Sequence, residues 1–293
     1  MSTRKSLHIG LNRVDPDQYG GWDGALSGCI NDADAMKEIA ESRGFTAEQL
    51  IDDQATVGAV RDKLNEYASQ LEDGDFLFLT YSGHGGQVPD QNGDEIDGYD
   101  ETWCLYDTEL VDDSLYGALC TFKKGVRIFI MSDSCHSETV ARRGPGIQRI
   151  AAREERRAFV DNQPGPKSKR APLEFTTAEY EKNQQAYKAQ QGWWAPKQLP
   201  DADVPAKVVL ISGCRDEQTS MDGPGNGAFT YAFLQVWEKN GRDYRKGYKD
   251  LQLEVLGAIE NSDQEPQIFY YGEGVKAMLA QMPFSDENAA VPV

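Results

Sequence analysis

Two short segments carry side chains suited to nucleophilic catalysis. Tyr81-Ser82-Gly83-His84-Gly85-Gly86 closes the apolar run Asp75–Tyr81, and Ser132-Asp133-Ser134-Cys135-His136-Ser137 comes after the run Val126–Met131. A thiol attacks poorly until deprotonated, and an imidazole can take its proton and later hand it to a leaving amine. The two need only be close in space. The chain has three His (8, 84, 136) and five Cys (29, 104, 120, 135, 214). Cys29, Cys104, Cys120 and Cys214 read as small buried hydrophobes. His84 alone reads as a loop histidine. Its flanking glycines let the backbone turn tightly and leave the imidazole at a rim. With a Cys at a second strand end, the catalytic reading is stronger. His136 competes as the base, but adjacent side chains tend to diverge, which favours His84.

Periodicity indicates the elements that must position this pair. Leu7–Leu11, Asp75–Tyr81, Val126–Met131, Val208–Ile211 and Gln267–Tyr271 read as strands, with Gln49–Ile51 as a short one. Asn31 or Asp32 can cap a helix over Ala33–Ser42, stopped by Gly44. Thr56 caps a second helix to about Gln70. Ala228–Lys239 and Tyr248–Asn261 read as further helices. This alternation predicts a mostly parallel sheet with helices on both faces, and ligands gather at the carboxyl ends of such strands. Two segments break the rhythm. Val88–Asp113 holds 10 Asp+Glu and no Lys or Arg. Arg142–Pro205 is polar and too long for an ordinary connection, with a possible helix at Glu179–Gln191.

With 293 residues, 39% hydrophobic, the chain can build a real core as one large domain or two small ones. A net charge of -18 argues against nucleic acid and anionic membrane as partners, and suits cationic substrates and divalent metals. No stretch approaches the length of a spanning helix, and the start carries no signal-peptide core, so a cytoplasmic location is expected. An odd number of cysteines without CxxC predicts neither a disulfide framework nor a zinc ribbon.

Tyr-Ser-Gly-His-Gly and Asp-Ser-Cys-His-Ser resemble the two signatures of caspase-like cysteine peptidases, in their metacaspase branch of bacterial type. Leu26-Ser27-Gly28-Cys29-Ile30-Asn31-Asp32-Ala33 is similar to the family's first loop. Ile211–Ser220 and Gly227-Ala228-Phe229-Thr230 are similar to its small-subunit region. The resemblance covers most of Ser6–Tyr271 except the Arg142–Pro205 insert. It implies a caspase-like α/β sandwich built on a mostly parallel six-stranded sheet. The implied division is 1–141 as a large-subunit-like region, 142–205 as insert, 206–282 as a small-subunit-like region and 283–293 as tail, in one domain overall. It implies Cys135 and His84 as the dyad and the N–H groups of Gly85 and Cys135 as the oxyanion hole. One departure is Glu138, where the family commonly has Gly.

The resemblance also lines the pocket for the residue before the scissile bond with Asp32, Ser82 and Asp133. Two carboxylates facing one pocket favour a guanidinium or ammonium, so Arg or Lys is expected there. Asp32 can equally be a helix cap. The acidic stretch can be just a solvated loop, and two readings go beyond that. The family's calcium site matches Asp100 and the Asp112-Asp113 pair, and clustered carboxylates suit Ca2+ as a regulatory ligand. A further family ligand corresponds to Arg142 and is missing. Asp90, Asn92, Asp94 and Glu101 also fit EF-hand positions, but Glu95 stands where that loop needs Gly.

The insert holds 12 Lys+Arg and 8 Asp+Glu, so it is +4. The remainder, with 18 basic and 40 acidic residues, is -22. It reads either as a solvated linker or as an activation linker cut at Arg142, Arg143, Arg149, Arg153, Arg156, Arg157, Lys167, Lys169 or Arg170. Before cutting it could lie across the acidic pocket, with Trp193-Trp194 as anchor. The resulting expectation is an endopeptidase acting on proteins or peptides after Arg or Lys. Its rivals are a protease activated only by a second protease, a caspase-fold pseudoenzyme or scaffold, and an acidic calcium-binding structural domain.

Overall fold

The computed structural model describes residues 2–90, 98–135, 167–193, 204–214, 220–223, 225–259 and 264–286. The apolar runs form a central six-stranded sheet. Its strands are β1 (Arg4–Gly10), β2 (Thr46–Ile51), β3 (Phe76–Ser82), β7 (Arg127–Asp133), β9 (Lys207–Ser212) and β11 (Gln267–Tyr271), in the order β11-β9-β7-β3-β1-β2. Neighbours are parallel except β11, which runs antiparallel to β9.

β3 and β7 are buried at every position, as expected for strands covered on both faces. Their side chains alternate between two cores. Leu77, Leu79, Tyr81, Ile128 and Ile130 join one face with α2 (Val57–Gln70) and α3 (Asp112–Leu119). Phe76, Phe78, Phe129 and Met131 join the other with α1 (Cys29–Ser42), α5 (Ala228–Lys239), α6 (Tyr248–Ala258) and α7 (Val275–Leu279). The caspase-like sandwich expected from the sequence is therefore the observed architecture. Thr56 caps α2 as expected, its Oγ1 accepting from the Ala59 N–H at 3.1 Å.

Three expectations need correction. The first helix starts at Cys29, with Gly28 at its N-cap, so Asp32 lies within the first turn and caps nothing. The acidic stretch is not simply a solvated loop. It contributes β4 (Gly85–Pro89), β5 (Tyr99–Cys104) and β6 (Glu109–Val111), an antiparallel sheet in which Asp100, Glu101, Thr102 and Glu109 are buried. The EF-hand positions Asn92, Asp94 and Glu95 lie outside the described residues. Part of the insert folds as well. β8 (Lys167–Ser168) pairs with β10 (Met221–Asp222), and α4 (Leu173–Trp193) packs over β4 and β6. The helix is longer than Glu179–Gln191.

Candidate active site

Parallel register brings the two signatures together. Ser82 at the end of β3 pairs with Asp133 at the end of β7, and His84 and Cys135 each come two residues later. Both are buried rather than at an open rim. The His84 turn is pinned from below. The Tyr81 hydroxyl lies 2.6 Å from the His84 carbonyl and 3.0 Å from that of Cys104, and the Cys104 N–H donates to the His84 carbonyl at 3.0 Å. Tyr81 in turn stacks on Trp103.

His84 Nε2 lies 3.0 Å from the Gly24 carbonyl, and Trp22 packs on the ring with centroids 4.6 Å apart. Gly24 has φ +59, a conformation natural to glycine. His84 Nδ1 is buried and makes no hydrogen bond among the described residues. Burial lowers the His84 pKa to about 4, partly offset by the Gly24 and Lys169 carbonyls. Cys135 Sγ accepts the Ser220 N–H at 3.1 Å. Burial pushes its thiol up. The hydrogen bond with Cys214, the charges of Arg170 and Lys169 and the Ser220 N–H outweigh that, leaving it below its ordinary value. Gly85 must be glycine, because a Cβ there would meet the Cys135 carbonyl oxygen at 1.7 Å.

Asp32, Ser82 and Asp133 converge on one buried spot, and it is filled by Lys169. The Lys169 ammonium donates to Ser82 Oγ at 2.9 Å and lies 3.3 Å from Asp32 Oδ2 and 3.2 Å from Asp133 Oδ2. Its side chain is 0% exposed. Burial would strip the proton, but Asp133 and Asp32, with Cys29 and Asp222, hold the group well above its usual pKa. Other donors organise the carboxylates. Ser82 Oγ, Asn226 Nδ2 and the Gly227 N–H donate to Asp32. Ser220 Oγ, the Thr230 N–H and Thr230 Oγ1 donate to Asp133. A Cβ on Gly227 would meet Asp133 Oδ2 and Lys169 Nζ, each at 2.4 Å.

The backbone of Lys169 is held too. The Gly85 N–H donates to its carbonyl at 2.9 Å, and its N–H donates to the Ser220 carbonyl at 2.9 Å. Lys167 and Arg170 are exposed on either side. His136, Glu138 and the basic residues Arg142, Arg143, Arg149, Arg153, Arg156 and Arg157 lie outside the described residues.

For calcium, the β5–β6 register sets Thr102 opposite Val111, so Asp100 approaches the end where Asp112 and Asp113 open α3. These are hard oxygen donors of the kind calcium takes. Among the described residues, however, no group of three or more His, Cys, Asp or Glu is arranged to hold a metal ion. Acidic residues in a first helical turn also favour the helix dipole.

Sequence reasoning missed the supports. Ser220 braces both Asp133 and Cys135, Thr230 braces Asp133, and Trp22 with Gly24 fixes the His84 ring. The glycine-dense Gly20-Gly21-Trp22-Asp23-Gly24 was the available signal for the last pair.

A thiol and an imidazole just past adjacent carboxyl ends of a sandwiched parallel sheet are the arrangement expected of a caspase-fold cysteine peptidase. A caspase-domain family model matches residues 13–284, and the chain belongs to that family. It is 31% identical to Metacaspase-1 of Mycosarcoma maydis, over 90% of this chain and 69% of the relative. It is 32% identical to Metacaspase-1B of Neosartorya fischeri, over 90% and 68%. These relatives mark it as a metacaspase-type, cysteine-type endopeptidase. Among solved structures it resembles protein GSU0716 of Geobacter sulfurreducens, with TM-score 0.79 and 40% identity over 97% of this chain and 99% of that one. Caspase-1 of Spodoptera frugiperda, at 12% identity and TM-score 0.52 over 93% and 88%, shares the fold.

Proposed function

We propose that this endopeptidase cleaves after Lys or Arg with a Cys135–His84 dyad, and that its own Lys169–Arg170 bond is its first substrate. One observation carries the reading. Lys169 sits with its ammonium between Asp32 and Asp133 and its carbonyl on the Gly85 N–H, as a substrate residue before a scissile bond would.

The atoms present dictate the chemistry. With Nε2 engaged by the Gly24 carbonyl, Nδ1 is the nitrogen left for proton transfer. It takes the Cys135 proton as Sγ attacks the carbonyl carbon. The oxyanion forms against the N–H groups of Gly85 and Cys135. Collapse breaks the peptide bond, and the imidazolium protonates the leaving amine. Water, deprotonated by the same imidazole, then hydrolyses the thioester and restores the thiol. Until the bond is cut, Lys169 occupies the pocket and makes the insert an internal inhibitor.

Cytoplasmic residence belongs to the same reading, since the cysteines are unbridged, as in a reducing compartment. Among the described residues no helix is long and apolar enough to cross a membrane.

The test is purified protein assayed on coumarin amides ending in Arg, Lys and Asp, with mass spectrometry for self-cleavage. Cys135→Ala should abolish turnover and His84→Ala should lower it by at least ~10². Faster turnover after Asp, or full activity in Cys135→Ala, would overturn the proposal. Loss only on replacing His136 would reassign the base. A pseudoenzyme scaffold would fail to react with an irreversible Arg-directed thiol probe.

A further inference from the structure

We infer that the site carries a second specificity pocket, for a small apolar side chain two residues after the bond it cuts, lined by Val14, Tyr19, Trp22 and Cys104. The inference rests on reading Lys169 as the residue before that bond, which makes Arg170 the first residue beyond it and Ala171 the second.

Their surroundings differ sharply. Arg170 is exposed, whereas Ala171 is 6% exposed and belongs to a small apolar cluster with Val14, Tyr19 and Cys104, against which Trp22 packs. Gly85 grips the chain on both sides of the bond. Its N–H donates to the Lys169 carbonyl, and its carbonyl accepts the Ala171 N–H, each at 2.9 Å. Gly85 and Arg170 form a parallel bridge. Substrate backbone seated this way fixes where the second side chain beyond the bond must go.

The walls of that spot are tied down. The Tyr19 hydroxyl donates to the Leu105 carbonyl at 2.8 Å, and Tyr19 is 0% exposed. The Cys104 N–H donates to the His84 carbonyl at 3.0 Å, and the Val14 N–H to the Asp23 carbonyl at 2.9 Å. Trp22 is packed between the His84 ring and Phe175 of α4. A methyl group fits. A larger side chain must displace walls that also hold the catalytic histidine, so overpacking here costs both binding and alignment. Val14, Tyr19, Trp22 and Cys104 all lie outside the insert, and α4 meets these walls at Trp22 through Phe175. The exposed Arg170 position makes no such demand.

The experiment uses the self-cut full chain and internally quenched peptides carrying its own 167–172 sequence, with position 171 as Ala, Val, Leu or Phe. The cut bond is located by mass spectrometry. Expected is a fall in kcat/KM of about tenfold or more from Ala to Leu, and a larger one to Phe. Varying position 170 among Arg, Ala and Leu should change it by less than about threefold. Val14→Ala should narrow the Ala-to-Leu gap by admitting the larger side chain. A Lys-coumarin amide, which has no residue two beyond its bond, is run alongside. If it is turned over while the peptides are cleaved alike at all four residues, or none is cleaved, the pocket is overturned and the basic-specificity reading stands. If the Lys-coumarin amide is not cleaved, that reading fails and the inference falls with it.

Discussion

Asp133 accepts three hydrogen bonds before it meets Lys169, from Ser220 Oγ and from the N–H and hydroxyl of Thr230. Those donors satisfy the carboxylate in a dry place and fix its direction, which on the proposed reading preorganises it for an incoming cation. Asp133→Asn keeps the shape and removes the charge. It should cost ~2–5 kcal/mol in transition-state binding of Arg and Lys substrates, read as kcat/KM, because the buried partner cation loses one of its two carboxylates. Asp32→Asn should act in the same direction, and unchanged kcat/KM in both would remove these carboxylates from the recognition step. A second residue-scale effect concerns His8. It is buried between the hydroxyls of Thr80 and Ser6, and burial lowers its pKa to about 3. The unfolded chain binds a proton there near the ordinary value of ~6.5, while the folded chain refuses it until pH ~3. The unfolded state therefore holds more protons across that window, and stability contributed by neutral His8 is lost as pH falls through it. His8→Gln should reduce the pH 7 to pH 4 difference in unfolding free energy, measured in urea, by about 3 kcal/mol. An unchanged difference would mean the imidazole is not held neutral.

The elements that carry His84 and Cys135 were legible because their signal is local. β3 and β7 are continuous apolar runs, buried at every position, and the residues just past each run sit at a carboxyl end by the geometry of a parallel sheet. β4–β6 and α4 were not legible as a unit because each depends on the other. The acidic residues of β5 and β6 look solvated until α4, from far along the chain, covers them. The Val111 N–H donates to Gln190 Oε1 at 3.3 Å, Gln190 Nε2 donates to the Glu109 carbonyl at 2.7 Å, and Thr108 and Tyr187 donate to Glu179. Burial, with each carboxylate repelling the other, raises the pKa of Glu109 well above its usual value, as burial does for Glu179, so strands rich in acid can stay packed. The start of α1 is easily misplaced because Asp32 is a good cap by type, yet its carboxylate is spent on Ser82, Asn226 and Gly227 instead. Calcium belongs at this scale, since the proposed ligands straddle an element boundary between β5 and α3. We expect a divalent cation to relieve repulsion among Asp100, Asp112 and Asp113 and to favour the ordered arrangement of the second sheet. Isothermal titration should detect binding in the native chain and lose it in Asp112→Ala/Asp113→Ala, with activity tracking the same curve. Absence of binding at millimolar calcium, with equal activity in a chelator, would show that the missing acid at Arg142 has cost the site.

Across the whole molecule, the sequence sets a +4 insert against a remainder of -22, and one of the insert's lysines, Lys169, is buried between Asp32 and Asp133. Such a contact raises the local concentration of a scissile basic residue far beyond what any free peptide reaches, so the first turnover should be internal. Cutting between Lys169 and Arg170 would leave two fragments that cannot easily part. The first would hold β1, β2, β3 and β7, and the second β9 and β11, which complete the same sheet through the β7–β9 ladder. The helices α5 and α6 of the second fragment pack in one core with Phe76, Phe78 and Phe129 of the first. α4 would stay on β4 and β6 through Glu179, Tyr187 and Gln190. The expected result is one peak on native size exclusion and two bands on a denaturing gel, with the smaller fragment beginning at Arg170 by mass spectrometry. Lys169→Gln should leave this bond intact, because a neutral amide gains nothing from two buried carboxylates. In Cys135→Ala the cut should vanish if the chain or a sister molecule makes it, whereas persistence inside cells would assign it to a separate activating protease. A chain that stays whole at Lys169 while hydrolysing Arg and Lys substrates at full rate would mean that Lys169 leaves the pocket without being cut. Control would then lie with the exchange of the insert on and off the site rather than with its cleavage.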